Sequence, residues 1–197
     1  MIRSFLAIEL PKTLLKKIEE VQEDLKASHA DVRWVNPEKI HLTLKFFGNI
    51  EEPRIDTMMD SIREIVCRTP SFLLKVRGMG AFPHPKNPRV VWTGLEDGRG
   101  VIQPFQREIE LAFEKIGFEP EKRHFQPHLT LGRVNSSRGR EELMGKIEKY
   151  KEQEFGDLEV SRVILFKSDL RPSGPIYTPL RELRLGDTPM KPEMHSA

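Results

Sequence analysis

The tetrapeptide HLTL occurs twice in the sequence, at residues 41–44 and at residues 128–131, 87 positions apart. Polar and apolar residues alternate in each copy, which predicts a strand whose successive side chains point to opposite faces. The leucines would anchor each strand in the core, and the histidine and threonine would project together from the other face. Identity over four residues can arise by chance. However, the chain has only six histidines, and both copies fall on predicted strands. The repeat therefore predicts two related halves.

The remaining patterns predict helices and strands in irregular order. Predicted strands cover residues 2–10, 32–35, 41–47, 72–82, 89–95, 128–134, 158–167 and 176–185, and a loop spans residues 83–88. Predicted helices cover residues 11–27, 53–68, 101–116 and 138–150. Because several strands are consecutive, the pattern favours an α+β fold with antiparallel pairing. We expect one domain over residues 1–186 and a flexible tail over residues 187–197, which contain two prolines and few apolar residues.

Composition excludes several classes of protein. Of the 197 residues, 38% are hydrophobic, and 32 basic residues nearly balance 30 acidic ones. No long cationic tract is present to grip duplex DNA, although a ligand with a few phosphates remains compatible. No apolar run approaches the roughly 20 residues that span a bilayer, so we expect no membrane partner. A single cysteine, Cys67, excludes an intramolecular disulfide and a cysteine-built zinc site, and we expect a cytoplasmic location.

Two opposed histidines suit phosphodiester chemistry. Histidine titrates near neutral pH, so one ring can remove a proton from water while the other protonates a leaving oxygen. Each threonine hydroxyl can donate to a phosphate oxygen on which negative charge is held. Neither task requires a metal. The repeat therefore indicates a catalytic site at His41, Thr43, His128 and Thr130.

Other interpretations of the histidines compete with this one. A single His-x-Thr is typical of an ordinary half-exposed strand face, and only the second copy favours function. His124 and His128 have the spacing of zinc ligands on a helix, but Pro127 between them disfavours a helix there. The other histidines, His29, His84 and His195, are predicted to be solvated.

The chain resembles the two-histidine phosphoesterases, specifically the RNA 2′,3′-cyclic phosphodiesterases, also called 2′-5′ RNA ligases (LigT-like). The resemblance covers nearly the whole chain. It rests on the two HLTL segments, extended to Gly48 and to Arg133, and on segments at residues 3–7, 82–83, 88–92 and 174–177. It implies a bilobal fold of two pseudo-symmetric halves, with antiparallel sheet flanked by helices around a central groove.

The resemblance also implies an activity. The expected reaction is hydrolysis of an RNA 2′,3′-cyclic phosphate end, tRNA fragments included, to a 2′-phosphomonoester, with a reversible 2′-5′ ligation as a second reaction. In this family the first histidine is taken as proton donor and the second as proton acceptor, which implies these roles for His41 and His128. We expect a monomer that uses no metal and no cofactor.

Further candidates flank the two histidines. Arg133 is a candidate phosphate ligand, but strict alternation turns it away from His128 unless Gly132 forms a bulge. Lys45 has the parity of His41, although a lysine at a strand end usually faces solvent. Three aromatic residues could stack on a base or pack in the core: Phe5, Phe47 and Trp92.

Two alternative functions stay open at this point. One is a non-catalytic RNA- or nucleotide-binding module, which would not need matched histidines. The other is a related phosphodiesterase acting on another cyclic nucleotide or on an ADP-ribose cyclic phosphate.

Overall fold

The computed structural model describes residues 1–172 and 174–187. Four helices lie within these ranges: α1 (Lys12–Lys26), α2 (Arg54–Arg68), α3 (Ile102–Lys115) and α4 (Arg140–Lys149). A short 3-10 turn covers Pro37–Lys39. The strands are β1 (Ile2–Glu9), β2 (Val32–Trp34), β3 (His41–Ile50), β4 (Phe72–His84), β5 (Asn87–Glu96), β6 (His128–Val134), β7 (Glu154–Val160), β8 (Arg162–Asp169) and β9 (Ile176–Arg184).

The strands form one antiparallel sheet with the two histidine strands at its centre. The order is β7-β4-β5-β6-β3-β1-β8-β9, and β2 adds to β6 beside this path. One half is β3-β1-β8-β9, and the other is β6-β5-β4-β7. The α+β class, the antiparallel pairing and the pair of related halves are therefore confirmed.

These halves in space are not the two halves of the sequence. In the first half of the chain, β4 follows α2 and pairs with β5 and β7 on the β6 side. In the second half of the chain, β8 has the equivalent position, after α4 and β7. It pairs with β1 on the β3 side. Each half of the sheet is thus completed by a strand from the other half of the chain, which ties the two halves together.

The helices cover one face of the sheet. Apolar residues at three- and four-residue spacing on α1, such as Leu14, Ile18 and Leu25, pack into a core shared with Leu42 and Leu129. Burial of these side chains fixes which face of each strand is inward, because the side-chain period of a strand is two. The other face of the sheet, called the open face below, carries the polar partners of these leucines.

Two predicted boundaries were wrong. The predicted strand 158–167 is two strands separated by Ser161, because the chain there passes from one half of the sheet to the other. Its core residues change parity across Ser161, from Leu158 and Val160 to Val163 and Leu165. The predicted loop 83–88 is a hairpin whose paired strands extend to His84 and Asn87.

The remaining predictions about the whole chain are only partly covered. The predicted tail 187–197 lies outside the described residues from position 188 onward. Over residues 1–172 and 174–187, no helix is long and apolar enough to cross a bilayer.

Candidate active site

The two His-Thr pairs meet at the centre of the sheet. Leu42 and Leu129 are partners in the ladder between β3 and β6, and both are almost fully buried in the core. Antiparallel register from this pair places His41 opposite Thr130 and Thr43 opposite His128. All four side chains project to the open face, where each is half-buried. The structure therefore brings the four predicted catalytic residues together.

The two imidazole rings are held in the same way. Nδ1 of His41 lies 2.8 Å from the carbonyl oxygen of Lys39, and Nδ1 of His128 lies 2.7 Å from that of Gln126. Because a carbonyl only accepts, each Nδ1 must carry the proton and donate it. Nε2 is then the nitrogen available for chemistry on both rings, as lone pair or as N–H.

His41 lies in an aromatic pocket. Its ring stacks on Phe5, with centroids 4.7 Å apart, and the edge of Tyr177 approaches at 5.3 Å. Phe5 belongs to a small apolar cluster on the open face, below His41. Burial lowers the pKa of His41 below the ordinary 6.5, and the bond to the Lys39 carbonyl partly opposes this shift. In the free protein His41 is therefore biased toward its neutral form.

His128 has an aromatic neighbour as well. The ring of Phe82 approaches it edge-on at 5.3 Å and stacks on Trp92 at 4.9 Å. Trp92 is the ladder partner of Thr130, and Gly94 is that of His128. Aromatic side chains of β4 and β5 thus support the second histidine as Phe5 supports the first.

Each histidine strand has a β-bulge just after its threonine. Leu44 is the additional residue between the pairs Ala7–Thr43 and Leu6–Lys45. In β6, Leu131 is the additional residue between the pairs Trp92–Thr130 and Val91–Gly132. A bulge changes which face the following side chains point to. The burial patterns of 41–46 and 128–133 are consequently identical.

The bulges decide which face Lys45 and Arg133 point to. The expected face was wrong for Lys45, and Arg133 lies where a bulge was expected to place it. Lys45 does not share the face of His41: it is buried on the helix side, where its Nζ donates to the Glu110 carboxylate at 2.5 Å and the Glu119 carbonyl at 2.9 Å. Arg133, which strict alternation turns away, lies on the open face with His128. Gly132 has no room for a side chain, since a Cβ there would lie 2.6 Å from Val32 Cγ1.

Two more residues join Arg133 on the open face. Arg33 of β2 is its direct ladder partner. Burial raises the pKa of the Tyr177 phenol, and the positive charges of Arg133 and Arg3 oppose that shift, which places Tyr177 within electrostatic reach of both. Since Tyr177 also touches His41, the charge of Arg133 extends toward the first histidine.

Arg33 and Arg133 form an arginine pair, of which the sequence had predicted only Arg133. Like charges directly opposite each other in a ladder destabilise a sheet. No ion pair among the described residues involves either arginine. Arg33 precedes His128 of the second motif by 95 positions in the sequence. Only the pairing of β2 with β6 shows that it lies beside Arg133.

The three aromatic candidates have structural duties. Phe5 is buried at 3% exposure, Phe47 packs on Phe113 and Phe118, and Trp92 stacks on Phe82. The aromatic side chain left exposed near the histidines is Phe46, at 55%. Strand alternation implies that Phe46 and Phe47 point to opposite faces. Which of the two points outward follows only once the bulge at Leu44 is known.

Buried glutamines hold the bulges. Nε2 of Gln106 in α3 donates to the Leu44 carbonyl at 3.2 Å, and Nε2 of Gln22 in α1 donates to the Leu131 carbonyl at 2.8 Å. Each carbonyl belongs to the additional residue of its bulge. Backbone groups displaced from the ladder need such partners when buried, so the helices fix both irregular segments.

Residues of both halves also line a cavity of about 720 Å³, among them Glu9, Arg162 and Arg184 from one half and Leu73 and Glu159 from the other. Its lining includes none of the four predicted catalytic residues. Glu9 is the ladder partner of His41. The two halves of the sheet therefore approach each other beside the end of β1, so the sheet is curled.

The remaining histidines do not join the site. His124 is exposed and lies outside any helix, as Pro127 predicts, and His29 and His84 are exposed as well. His195 lies outside the described residues. Residues 1–172 and 174–187 contain no group of three or more metal-ligating side chains.

Comparison with known proteins agrees with this geometry. The sequence matches the LigT like phosphoesterase family over residues 8–92 and 95–177, and each range contains one HLTL segment. The chain belongs to this family. As a LigT-like phosphoesterase, it is similar along nearly its whole length to proteins of archaea and bacteria.

Two curated relatives illustrate the similarity. An RNA 2′,3′-cyclic phosphodiesterase of Methanothermobacter thermautotrophicus is 39% identical over 184 residues, covering 93% of this chain and 99% of that protein. A protein of the same name from Aquifex aeolicus is 32% identical, covering 94% and 98%.

Solved structures share the fold of this LigT-like phosphoesterase. A protein of Thermus thermophilus superposes with a TM-score of 0.79 at 24% identity, covering 95% of this chain and 100% of that one. Escherichia coli LigT complexed with 3′-AMP gives 0.71 at 22% identity, covering 93% and 98%.

Proposed function

We propose that this protein hydrolyses the 2′,3′-cyclic phosphate end of RNA to a 2′-phosphomonoester, with the two histidines as acid and base. The observation that carries the proposal is the matched pair of rings: each presents Nε2 from the open face, and each is fixed through Nδ1 by its own backbone. Two such nitrogens can serve the two ends of one in-line displacement. The names of the relatives, RNA 2′,3′-cyclic phosphodiesterase, support the choice of substrate.

The proposed chemistry moves two protons. Nε2 of neutral His128 takes a proton from a water molecule as its oxygen attacks phosphorus. The bond from phosphorus to O3′ breaks, and Nε2–H of charged His41 gives its proton to O3′. The product carries a 2′-phosphate and a free 3′-hydroxyl, and both rings return to their starting states by exchange with solvent.

The lowered pKa of His41 fits the donor role in one respect and constrains it in another. A lower pKa makes the protonated ring a stronger acid toward O3′. It also means that the ring must gain its proton when the anionic substrate binds, since a neighbouring negative charge favours the charged form. Substrate binding and protonation of His41 are therefore coupled in this scheme.

The polar groups around the rings have assigned tasks. The hydroxyls of Thr43 and Thr130 donate to the non-bridging phosphate oxygens, where charge is held in the transition state. Arg133 supplies a fixed positive charge and a planar fork that matches two phosphate oxygens. Arg33 adds a second guanidinium beside it, and the Tyr177 hydroxyl is a further donor near His41.

The test is an assay of a short RNA with a 2′,3′-cyclic phosphate end, in EDTA, in which the products are separated by the position of their phosphate. We expect a 2′-phosphate product. The matched control is His124→Ala, an exposed histidine near the second motif, which should keep full activity. A protein that binds this RNA without turning it over would be a binding module instead. Faster hydrolysis of 2′,3′-cyclic mononucleotides or ADP-ribose cyclic phosphate would name another substrate.

Two finer points belong to the same proposal. Ligation through a 2′-5′ bond follows if the 5′-hydroxyl of a second RNA replaces water, with the same base and the same acid. When this reaction runs backward and the 2′-5′ bond is cleaved, the acid and the base exchange roles. RNA ends on tRNA fragments are proposed substrates, and a monomer is the proposed active species.

A further inference from the structure

Arg33 lies at the rim of the site, one strand away from Arg133. Because β5 occupies one edge of β6, the strands β2 and β3 share the other edge. β2 pairs with the last residues of β6, whereas β3 pairs with β6 nearer its beginning. Arg33 is therefore placed past His41 along this edge, outside the group of histidine and threonine side chains.

The packing of β2 fixes the direction of the Arg33 side chain. Its neighbours Val32 and Trp34 pack against the core, where both lie against Gly132. Since side chains alternate along a strand, Arg33 projects to the open face, where it is exposed. Its ladder partner Arg133 is exposed on the same face. Two guanidinium groups therefore lie side by side there.

The arginine pair carries two positive charges that no protein carboxylate balances. The ion pairs found over residues 1–172 and 174–187 include neither guanidinium. The carboxylate just before β2, that of Asp31, accepts from the Asn135 amide at 3.0 Å. Since like charges opposite each other destabilise a ladder, the pair suits a ligand with more than one negative charge. Successive phosphates of an RNA chain provide such a ligand.

The two arginines have different positions relative to the histidines. The positive charges that act on the Tyr177 phenol are those of Arg133 and Arg3, and Tyr177 contacts His41. Arg133 is therefore within electrostatic reach of the centre of the site, where the reacting phosphate would lie. With Arg133 and the two threonine hydroxyls, the non-bridging oxygens of that phosphate already have donors. Arg33, at the rim, is left for another part of the substrate.

We infer that Arg33 binds the phosphate on the 5′ side of the terminal nucleotide. The inference rests on the proposed function, because it concerns the RNA that leads into the same site. The cyclic phosphate and the 5′ phosphate are attached to one ribose, so two neighbouring guanidinium groups can hold one each. Arg33 thereby distinguishes the end of an RNA chain from a free 2′,3′-cyclic mononucleotide. The distinction is independent of base identity, because contacts to phosphate carry no sequence information.

Three matched substrates test the inference. They are a dinucleotide with a 2′,3′-cyclic phosphate end, the same dinucleotide with an uncharged methylphosphonate linkage, and the cyclic mononucleotide with a free 5′-hydroxyl. The unaltered protein should have a KM about tenfold lower for the first than for the second, the scale of one hydrogen bond to a charged group. Arg33→Ala should remove this difference and leave KM for the mononucleotide unchanged. Arg33→Lys, which keeps the charge, should retain part of the difference.

Two variants serve as controls. Arg89→Ala removes an exposed arginine from β5 that alternation directs to the other face from Arg133, and it should change none of the three KM values. Arg133→Ala should raise KM for all three substrates, because the cyclic phosphate is present in each.

Three results would overturn the inference. The first is equal KM values of the unaltered protein for the charged and uncharged dinucleotides. The second is an unchanged KM for the charged dinucleotide in Arg33→Ala. The third is an equal rise for all three substrates in that variant, which would assign Arg33 to the reacting phosphate. If the unaltered protein hydrolyses none of the three, the proposed function is contradicted instead.

Discussion

Leu42 lies directly opposite Leu129 in the ladder between the two histidine strands. This single pairing fixes the site, because the polar neighbours of both leucines must then emerge side by side on the open face. The core that holds the leucines is built from both halves of the chain. A rigid backbone beneath a titratable pair is what positions an acid and a base with the accuracy that catalysis requires.

The buried glutamines should matter more than their distance from the chemistry suggests. Gln106→Leu leaves the Leu44 carbonyl without its side-chain donor, which should cost about 1–3 kcal/mol of the free energy of unfolding. Gln103→Leu, on the exposed side of the same helix, is the matched control and should cost much less. Urea unfolding of both variants measures the difference, and equal costs would remove any special role for Gln106.

Alanine should have opposite effects on stability at Gly132, which packs against β2, and at Gly145, which lies in α4. Gly132→Ala would place a Cβ 2.6 Å from Val32 Cγ1 and 3.0 Å from the Trp34 ring, and this overpacking should cost about 1–3 kcal/mol. Gly145→Ala lies within α4 with nothing within 4 Å of the new Cβ. It should raise stability by about 0.5–1 kcal/mol, since glycine is costly inside a helix. Thermal unfolding distinguishes the two, and a stabilised Gly132→Ala variant would contradict the close approach of β2.

Arg133→Ala should weaken substrate binding and leave the pH optimum in place. A guanidinium keeps its charge over the whole working range, so its removal changes the affinity and not the titration. The salt dependence of binding should also fall, because one fewer cation neutralises phosphate. Arg99→Ala, in an exposed turn, serves as the control. Unchanged affinity for a cyclic-phosphate RNA would make Arg133 an ordinary surface residue.

Anion binding should be linked to proton uptake at His41. Burial lowers the pKa of His41 in the free protein, and a bound anion favours the charged ring. Sulfate, whose own charge is constant over this range, should therefore bind more tightly as the pH falls from about 8 to about 6. His41→Asn should flatten this dependence, whereas His84→Asn, an exposed histidine, should not. A sulfate affinity that is independent of pH in the unaltered protein would contradict the coupling.

Much of the fold and the centre of the site could be predicted from the sequence, since both depend on strand alternation. The leucines of HLTL predicted the inward face, and the histidines and threonines the outward one. Alternation failed where a bulge interrupts it: it placed Lys45 on the wrong face and could not place Arg133 or Phe46. Bulges depend on contacts that are distant in the sequence, such as the one between Gln22 and Leu131.

The Arg33–Arg133 pairing and the crossing at Ser161 could not be predicted from the sequence for a similar reason. The pairing of Arg33 with Arg133 exists only because β2 joins β6, and no local pattern predicts that neighbour. At Ser161 the chain passes from one half of the sheet to the other. The core residues switch there from even to odd positions, which is a signal in the sequence, but an apolar run of this length is typical of one strand. The single domain over residues 1–186 and the cytoplasmic location stay predictions.

The most direct test of the two-histidine mechanism is the pH dependence of kcat/KM in EDTA for the unaltered protein, His41→Ala, His128→Ala and the double variant. An acid and a base acting together give a bell-shaped curve for the unaltered protein, and each single variant should lose about 10²–10⁴ in rate and one limb of the curve. The double variant should lose less than the product of the single losses, because the two residues act as a unit. Full activity in either single variant, or activity that appears only with an added divalent metal, would contradict this mechanism.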